Sequence, residues 1–260
     1  MTLVLALDTS TEELAVGLGS LHETGVHLIG ETNIEVPRAS LTHLVPSLSR
    51  LLESVGVSLQ DVGAVVVGRG PGSFTGVRIG VATAKGIAQG LSVALYGVGT
   101  LDAVAERFAG HEGLVGVVGD AMRREVYPAL FRLSSGRVER LGADDVAKPD
   151  AAAAAWTALG EDVLLAGNGL RKYASTFTEA LGGHGVLAPE PMWTPTGESL
   201  LAAAWRTWKA GVLGDGNVAT VLPVYTRLSD AETAERARVG GCDDVTPSSG
   251  VAGPPAGEPS

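Results

Sequence analysis

Two stretches of this 260-residue chain carry groups suited to phosphate chemistry. Asp8-Thr9-Ser10-Thr11 ends the apolar run Leu3–Leu7. A carboxylate placed there could hold a metal-bound water while hydroxyls and turn amides receive a phosphate. The commoner role of such a tetrapeptide is simply to close a tight turn through Asx and Ser/Thr hydrogen bonds. Gly70-Pro71-Gly72 follows the apolar run Ala64–Val67. A strand entering such a loop and leaving it as a helix offers free amides and the positive end of a helix dipole to an anion. The alternative is a tight connector whose glycines let helix and strand pack closely. The loop lacks the Lys-Ser/Thr ending of a P-loop, and Thr75 stands where a dinucleotide fingerprint needs its third glycine.

Hydrolytic chemistry finds little support. There is no Gly-x-Ser-x-Gly elbow and no His-Glu-x-x-His, and His22, His27, His43, His111 and His184 have no ligand spacing. Cys242, the single cysteine, has no histidine nearby to activate it.

The elements that must position these groups read as α/β. Leu3–Leu7, Leu14–Leu18 and Val26–Val36 form an antiparallel meander. Pro37 then introduces Leu41, Leu44, Val45, Leu48, Leu51, Leu52 and Val55, whose spacings of three and four predict a helix that stops at Gly56. The β-branched run Ala64–Val67 predicts a strand covered on both faces. Val77–Leu91 reads as a helix with small residues in two stripes, 76/80/84 and 82/86/90, each admitting a close neighbour. Ser92–Val98 is a strand and Leu101–Phe108 a helix.

A second unit opens with a strand over Leu114–Val118 that leads to Asp120, paired as a hairpin with Val126–Leu133. A helix over Ala151–Leu159, a strand over Val163–Ala166 ending in Gly167-Asn168-Gly169, a helix over Leu200–Trp208 and a closing segment over Val221–Arg227 follow. The likeness between the halves suggests internal duplication. The expected layout is a first subdomain over 1–110, a second over 111–228 whose late helix returns to the first, and an acidic disordered tail over 229–260 rich in Ala, Glu, Gly, Pro and Ser.

Composition bounds the partners. With 45% hydrophobic residues the chain can build a core, and no apolar run reaches the roughly 18 residues of a membrane span. No basic region precedes the first apolar run, so no secretory signal is expected, and one cysteine suits a reducing cytoplasm. A net charge of -10 disfavours autonomous binding to a polyanion, which needs clustered Lys and Arg.

The thirteen residues Gly68-Arg69-Gly70-Pro71-Gly72-Ser73-Phe74-Thr75-Gly76-Val77-Arg78-Ile79-Gly80 are more specific. They closely resemble the TsaB (YeaZ) family, bacterial partner subunits in the making of N6-threonylcarbamoyladenosine beside the tRNA anticodon. The likeness extends through Leu5-Ala6-Leu7-Asp8-Thr9-Ser10-Thr11, Gly97 to Leu101, Asp120 to Tyr127, Gly167-Asn168-Gly169 and Pro223 to Arg227, about residues 1–228. It implies a fold of the actin-like, Hsp70-like ATPase superfamily: two ribonuclease H-like subdomains related by duplication, with mixed sheets flanked by helices. Asp8, Thr9, Ser10 and Thr11 would match the first phosphate turn of that superfamily and Asp120 the second. Gly70, Pro71, Gly72, Gly167 and Gly169 complete a degenerate nucleotide site. Family members usually have glycine where Arg124 stands.

The catalytic paralogue, TsaD, carries a metal-binding His-x-x-x-His pair. Counted without gaps from the glycine loop, its positions fall on Thr100 and Val104, and neither replaces an imidazole. The resemblance therefore implies a non-catalytic subunit supporting TsaD in modifying tRNAs that read codons beginning with A. No metal or cofactor is required by this chain alone, with room for ATP or ADP and magnesium at the complex junction. Expected partners are TsaD and the ATPase TsaE, with tRNA reached only through the complex and a homodimer in isolation. The expected contact face is Leu41, Leu44, Val45, Leu48, Leu52, Gly76, Gly80 and Ala84. The alternatives are a magnesium-ATP phosphotransferase or ATPase using the Asp8 and Asp120 turns, and a peptidase, which lacks a nucleophile.

Overall fold

A computed structural model describes residues 2–36 and 40–226, without the side chains of Ser40 and Leu41. Residues 1–226 form one compact unit. The tail from 229 and Cys242 lie outside the described residues.

The opening residues build the expected meander. β1 (Leu3–Asp8), β2 (Glu13–His22) and β3 (Gly25–Glu35) pair antiparallel, with Asp8 opposite Ala15. β4 (Val62–Gly68) and β5 (Ala94–Val98) add parallel to β1, giving the order β3-β2-β1-β4-β5. The central strands are apolar at successive positions because both faces of the sheet are covered. Leu5 and Leu7 of β1 and Val65 and Val67 of β4 bury against one layer, while Val4, Ala6, Ala64 and Val66 bury against another.

The first layer is α1 (Ser40–Ser54) and α2 (Phe74–Leu91). α2 starts at Phe74 rather than Val77 because the Ser73 side chain accepts the Gly76 amide at 3.3 Å and caps the helix. The second layer is α6 (Gly197–Lys209), whose Leu200, Leu201, Ala203 and Ala204 cover the opposite face. Its N-terminus reaches the sheet because two glycines meet: a Cβ on Gly197 would lie 2.5 Å from the Gly17 Cα.

The second sheet repeats the plan. β6 (Gly113–Asp120), β7 (Val126–Ser134) and β8 (Arg137–Arg140) are antiparallel, and β9 (Val163–Ala166) and β10 (Gly185–Leu187) run parallel to β6. The order β8-β7-β6-β9-β10 matches that of the first sheet. α3 (Thr100–Glu106), α4 (Pro149–Thr157) and α5 (Leu170–Leu181) serve this half, with Phe131 and Phe177 at its core. The sequence reading lacked β8, β10 and α5. Its closing segment shows no regular structure over 221–226, where the Val224 amide instead donates to the Arg69 carbonyl at 2.8 Å. Among the described residues no helix is long and apolar enough to cross a membrane.

Candidate functional site

Asp8 closes β1, and its side chain turns inward. It is fully buried, and Gly68 makes room for it: a Cβ at 68 would lie 1.7 Å from Asp8 Oδ2. Asp8 Oδ1 accepts the Ser10 amide and lies 2.6 Å from Ser10 Oγ, while Oδ2 lies 2.6 Å from Thr100 Oγ1. Ser10 Oγ and Thr100 Oγ1 are themselves 2.9 Å apart, and the Gly70 amide donates to Thr100 at 3.1 Å. With the carboxyl ionised, two hydroxyl protons donate to the carboxylate and the Ser10–Thr100 contact lacks one. A proton on Oδ2 would let Thr100 turn to Ser10 and close a ring of three O–H···O bonds. Burial pushes the Asp8 pKa above its ordinary value, against the hydrogen bonds from Ser10 and Thr100.

Of the two readings of this stretch, the geometry fits the closed turn. The Asp8 oxygens are occupied from within, by the Ser10 amide and the Ser10 and Thr100 hydroxyls, and the carboxylate has no surface open to a cleft. Thr100, set aside as a poor ligand, is instead the second hydroxyl that locks Asp8, and Val104 is core. Among the described residues no group of three or more His, Cys, Asp or Glu side chains could hold a metal ion.

The glycine loop is likewise engaged from within, as the packing alternative required. The Gly70 amide is taken by Thr100, Pro71 has no N–H, and the Ser73 amide donates to the Ser10 carbonyl at 2.7 Å. A Cβ on Gly72 would lie 2.4 Å from Ser10 O, and one on Gly76 would lie 2.0 Å from Thr9 O. The Thr9 hydroxyl donates to Gly76 O at 2.6 Å. The motif is therefore a clasp that presses α2 onto the Asp8 turn.

The second turn is occupied by salt bridges. Asp120 accepts the Met122 amide at 3.0 Å and pairs with Lys172, whose pKa that hydrogen bond raises. Asn168 accepts the Asp120 amide and donates to Glu12 at 2.8 Å, and Arg171 pairs with Glu12 and with Glu190. Gly167 and Gly169 serve packing: each Cβ would meet Val118 O, at 2.3 and 2.8 Å. Between the turns lies a cleft of about 660 Å³ lined by Thr11, Glu12, Phe74, Asp120, Met122 and Asn168, among others. Glu12, Arg171 and Lys172 were absent from the sequence reading, because only tertiary contact brings them to the turns. The turn Met122-Arg123-Arg124 holds three successive residues at positive φ, 60°, 50° and 62°, so the missing glycine leaves the hairpin intact at a conformational cost.

The expected contact face also changes. Leu44, Leu48 and Leu52 are 1%, 5% and 5% exposed and belong to the core against the first sheet. Gly76 and Gly80 face Thr9, and Ala84 is core. The sheet needs these apolar positions, so they cannot also serve a partner. Val45, at 56% exposure, stays outside, and the Leu41 side chain lies outside the described residues. The second stripe is the open one: Ala82, Gly86 and Gly90 are exposed, and a Cβ on either glycine meets nothing within 4 Å.

Comparison with known proteins places this geometry. The family model "TsaD: tRNA N6-adenosine threonylcarbamoyltransferase" matches residues 34–234. The YeaZ structure from Pseudomonas aeruginosa is 33% identical with a TM-score of 0.71, over 86% of this chain and 100% of that one. The tRNA threonylcarbamoyladenosine biosynthesis protein TsaB of Bacillus subtilis is 29% identical over 88% of this chain and 96% of its own length. The TsaB of Escherichia coli is 37% identical over 50% of this chain and 54% of its own length. With a 33% identical structure matched over its whole length and a curated relative matched over 96% of its own, together covering 86–88% of this chain, the chain belongs to the TsaB (YeaZ) family.

Proposed function

We propose that this chain is a non-catalytic subunit of the machinery that makes N6-threonylcarbamoyladenosine in tRNA, where it holds a TsaD-type threonylcarbamoyltransferase in its active conformation. The observation that carries the reading is the locked Asp8: the superfamily's reactive turn is fully buried and hydrogen-bonded by Ser10 and Thr100. A subunit whose own turn is locked in this way contributes by binding one state of its partner more tightly than another.

The residues present do not fit a magnesium nucleotide on this chain alone. Asp8 is enclosed, the Gly70 amide is used by Thr100, and Asp120 is paired with Lys172. We place any ATP or ADP with magnesium at the junction, with ligands from the partner, and TsaE as the ATPase of the assembly. The net charge of -10 supports tRNA contact through the complex rather than by this chain. The contact face is the outer side of α1 and α2 around Val45, Ala82, Gly86 and Gly90, which a second copy occupies when the subunit is alone.

The test is reconstitution with threonylcarbamoyl-adenylate and tRNA. TsaD plus this chain should transfer the group, TsaD alone poorly and this chain alone not at all. Turnover by this chain alone, or no stimulation of TsaD, overturns the reading. An Ala82→Glu variant should fold normally and lose stimulation; full stimulation by that variant moves the interface elsewhere.

A further inference from the structure

On the side of the fold where β4 and β5 end, α3, α6 and the β7–β8 hairpin enclose a cavity of about 310 Å³. Three guanidiniums line it, those of Arg69, Arg140 and Arg206. Two are matched. Arg140 pairs with Asp102 at 2.7 Å and with Asp144 at 2.6 Å, and Arg206 forms two bonds to Glu106, one of 2.8 Å and one shorter. Arg69 is not: no carboxylate of the described residues pairs with it, its Nε is packed over Gly97 without a hydrogen-bond partner, and the half-exposed end of its guanidinium is the part open to an occupant. A buried donor left unmade costs free energy, about 1–3 kcal/mol, and more for a charged group.

The placement of Arg69 is built into the motifs. Its amide donates to Val98 O at 2.9 Å and its carbonyl accepts the Val224 amide at 2.8 Å, which pins the backbone on both sides. Its side chain crosses β5 at Gly97, where a Cβ would lie 2.1 Å from Arg69 Cδ. Gly99 makes the same allowance for Asp102, whose Oδ2 would lie 1.9 Å from a Cβ there. The glycines of Gly97-Val98-Gly99 thus leave space for one unmatched guanidinium and one matched carboxylate at the same rim. The remaining wall is apolar, from Phe131, Val138, Val212 and Leu213. The volume lies at the lower end of the ~300–1,000 Å³ typical of small-ligand sites, and of the five charged side chains that line it, Arg69, Asp102, Glu106, Arg140 and Arg206, Arg69 is the one without an opposite charge.

We propose that this cavity binds a small organic anion, a carboxylate or phosphate borne on an apolar body, with the Arg69 guanidinium as its partner. The guanidinium fork donates two parallel hydrogen bonds to either oxyanion. The anion completes the third charge pair, and its body takes the place of water on the apolar wall. The site is separate from the cleft between the Asp8 and Asp120 turns and does not depend on the subunit's role beside TsaD.

The test uses the full chain with benzoate, phenyl phosphate and inorganic phosphate at matched ionic strength against chloride. The readouts are calorimetry and the Arg69 Nε–H resonance, assigned by its loss in Arg69→Gln. Benzoate or phenyl phosphate should bind saturably and move that resonance, and whichever is tighter identifies the carboxylate or phosphate source. Arg69→Gln should weaken binding at least about tenfold, the equivalent of one lost charge-assisted hydrogen bond. Gly97→Ala, which displaces Arg69 without changing charge, should weaken it as well and serves if Arg69→Gln fails to fold. No saturable binding of any probe, or affinity unchanged in both variants, overturns the proposal.

Discussion

Replacing Asp8 by asparagine tests whether the carboxyl is a structural lock or a reactive group. Asp8→Asn keeps an acceptor for the Ser10 amide and hydroxyl and gives Thr100 a donor, which imitates the protonated ring. It should cost no more than about 1 kcal/mol at acidic pH, the scale of a single net hydrogen bond. In Asp8→Ala the Thr100 hydroxyl can still turn to Ser10, but the Ser10 amide and hydroxyl lose their acceptor, at about 1–3 kcal/mol each, a large share of the ~5–15 kcal/mol stability of a whole domain. The pH dependence carries a definite sign. Burial raises the folded pKa of Asp8, so the unfolded chain loses its proton first. Between the ordinary carboxyl value and the raised folded one the native state binds more protons, and stability falls as pH rises, by up to ~1.4 kcal/mol per pH unit. Asp8→Asn has nothing to titrate, so its stability relative to the unsubstituted chain should climb through that window and level off above it. Asp102, whose pKa burial also raises, acts with the same sign but is present in both proteins and cancels in the difference. Guanidinium unfolding from about pH 4 to pH 9 measures the slope. A stability difference flat across that range, or an Asp8→Asn variant as damaged as Asp8→Ala, refutes the lock.

Leu48→Ala should lower stability by about 2–5 kcal/mol, seen as a lower denaturant midpoint, because its side chain is core rather than contact surface. Val45→Asp on the same helix should leave the midpoint nearly unchanged while weakening co-elution with TsaD. Gly76→Ala forces a methyl to within 2.0 Å of Thr9 O and should cost at least about 1–3 kcal/mol, whereas Gly86→Ala meets nothing and should gain about 0.5–1 kcal/mol in thermal unfolding.

Much of the fold was legible because its signals are local. The spacing of Leu44, Leu48, Leu51 and Leu52 marks α1, and doubly apolar β1 and β4 announce a sheet covered on both faces. What spacing could not say was which surface the stripe of α1 meets. An apolar stripe serves one neighbour, and the first sheet has the prior claim, so the proposed partner face moves to Val45 and the open side of α2. The helix α5 was legible and missed: Leu170, Tyr173, Ala174, Phe177 and Leu181 recur at helical spacing. β8 and β10 gave little to read, since edge strands of four and three residues, one of them Arg-Val-Glu-Arg, carry almost no alternation.

The candidate site was half legible for a different reason. Asp8 and the glycine loop each stand out locally, but whether they face solvent is decided by Thr100, which lies 92 residues after Asp8. Residue type names what a group could bind, and tertiary contact decides whether that capacity is already used. Around the Asp8, Glu12 and Asp120 carboxylates it is used, by hydroxyls, amides, Arg171 and Lys172. At Arg69, a residue of the same motif that composition alone did not single out, it is not. A buried group stays unpaired in a folded chain only at a cost, so ligand chemistry is better sought where that cost is still unmet than where a motif is merely familiar. By that measure the Asp8 turn acts as scaffold, and the proposed anion site is the cavity beside Arg69.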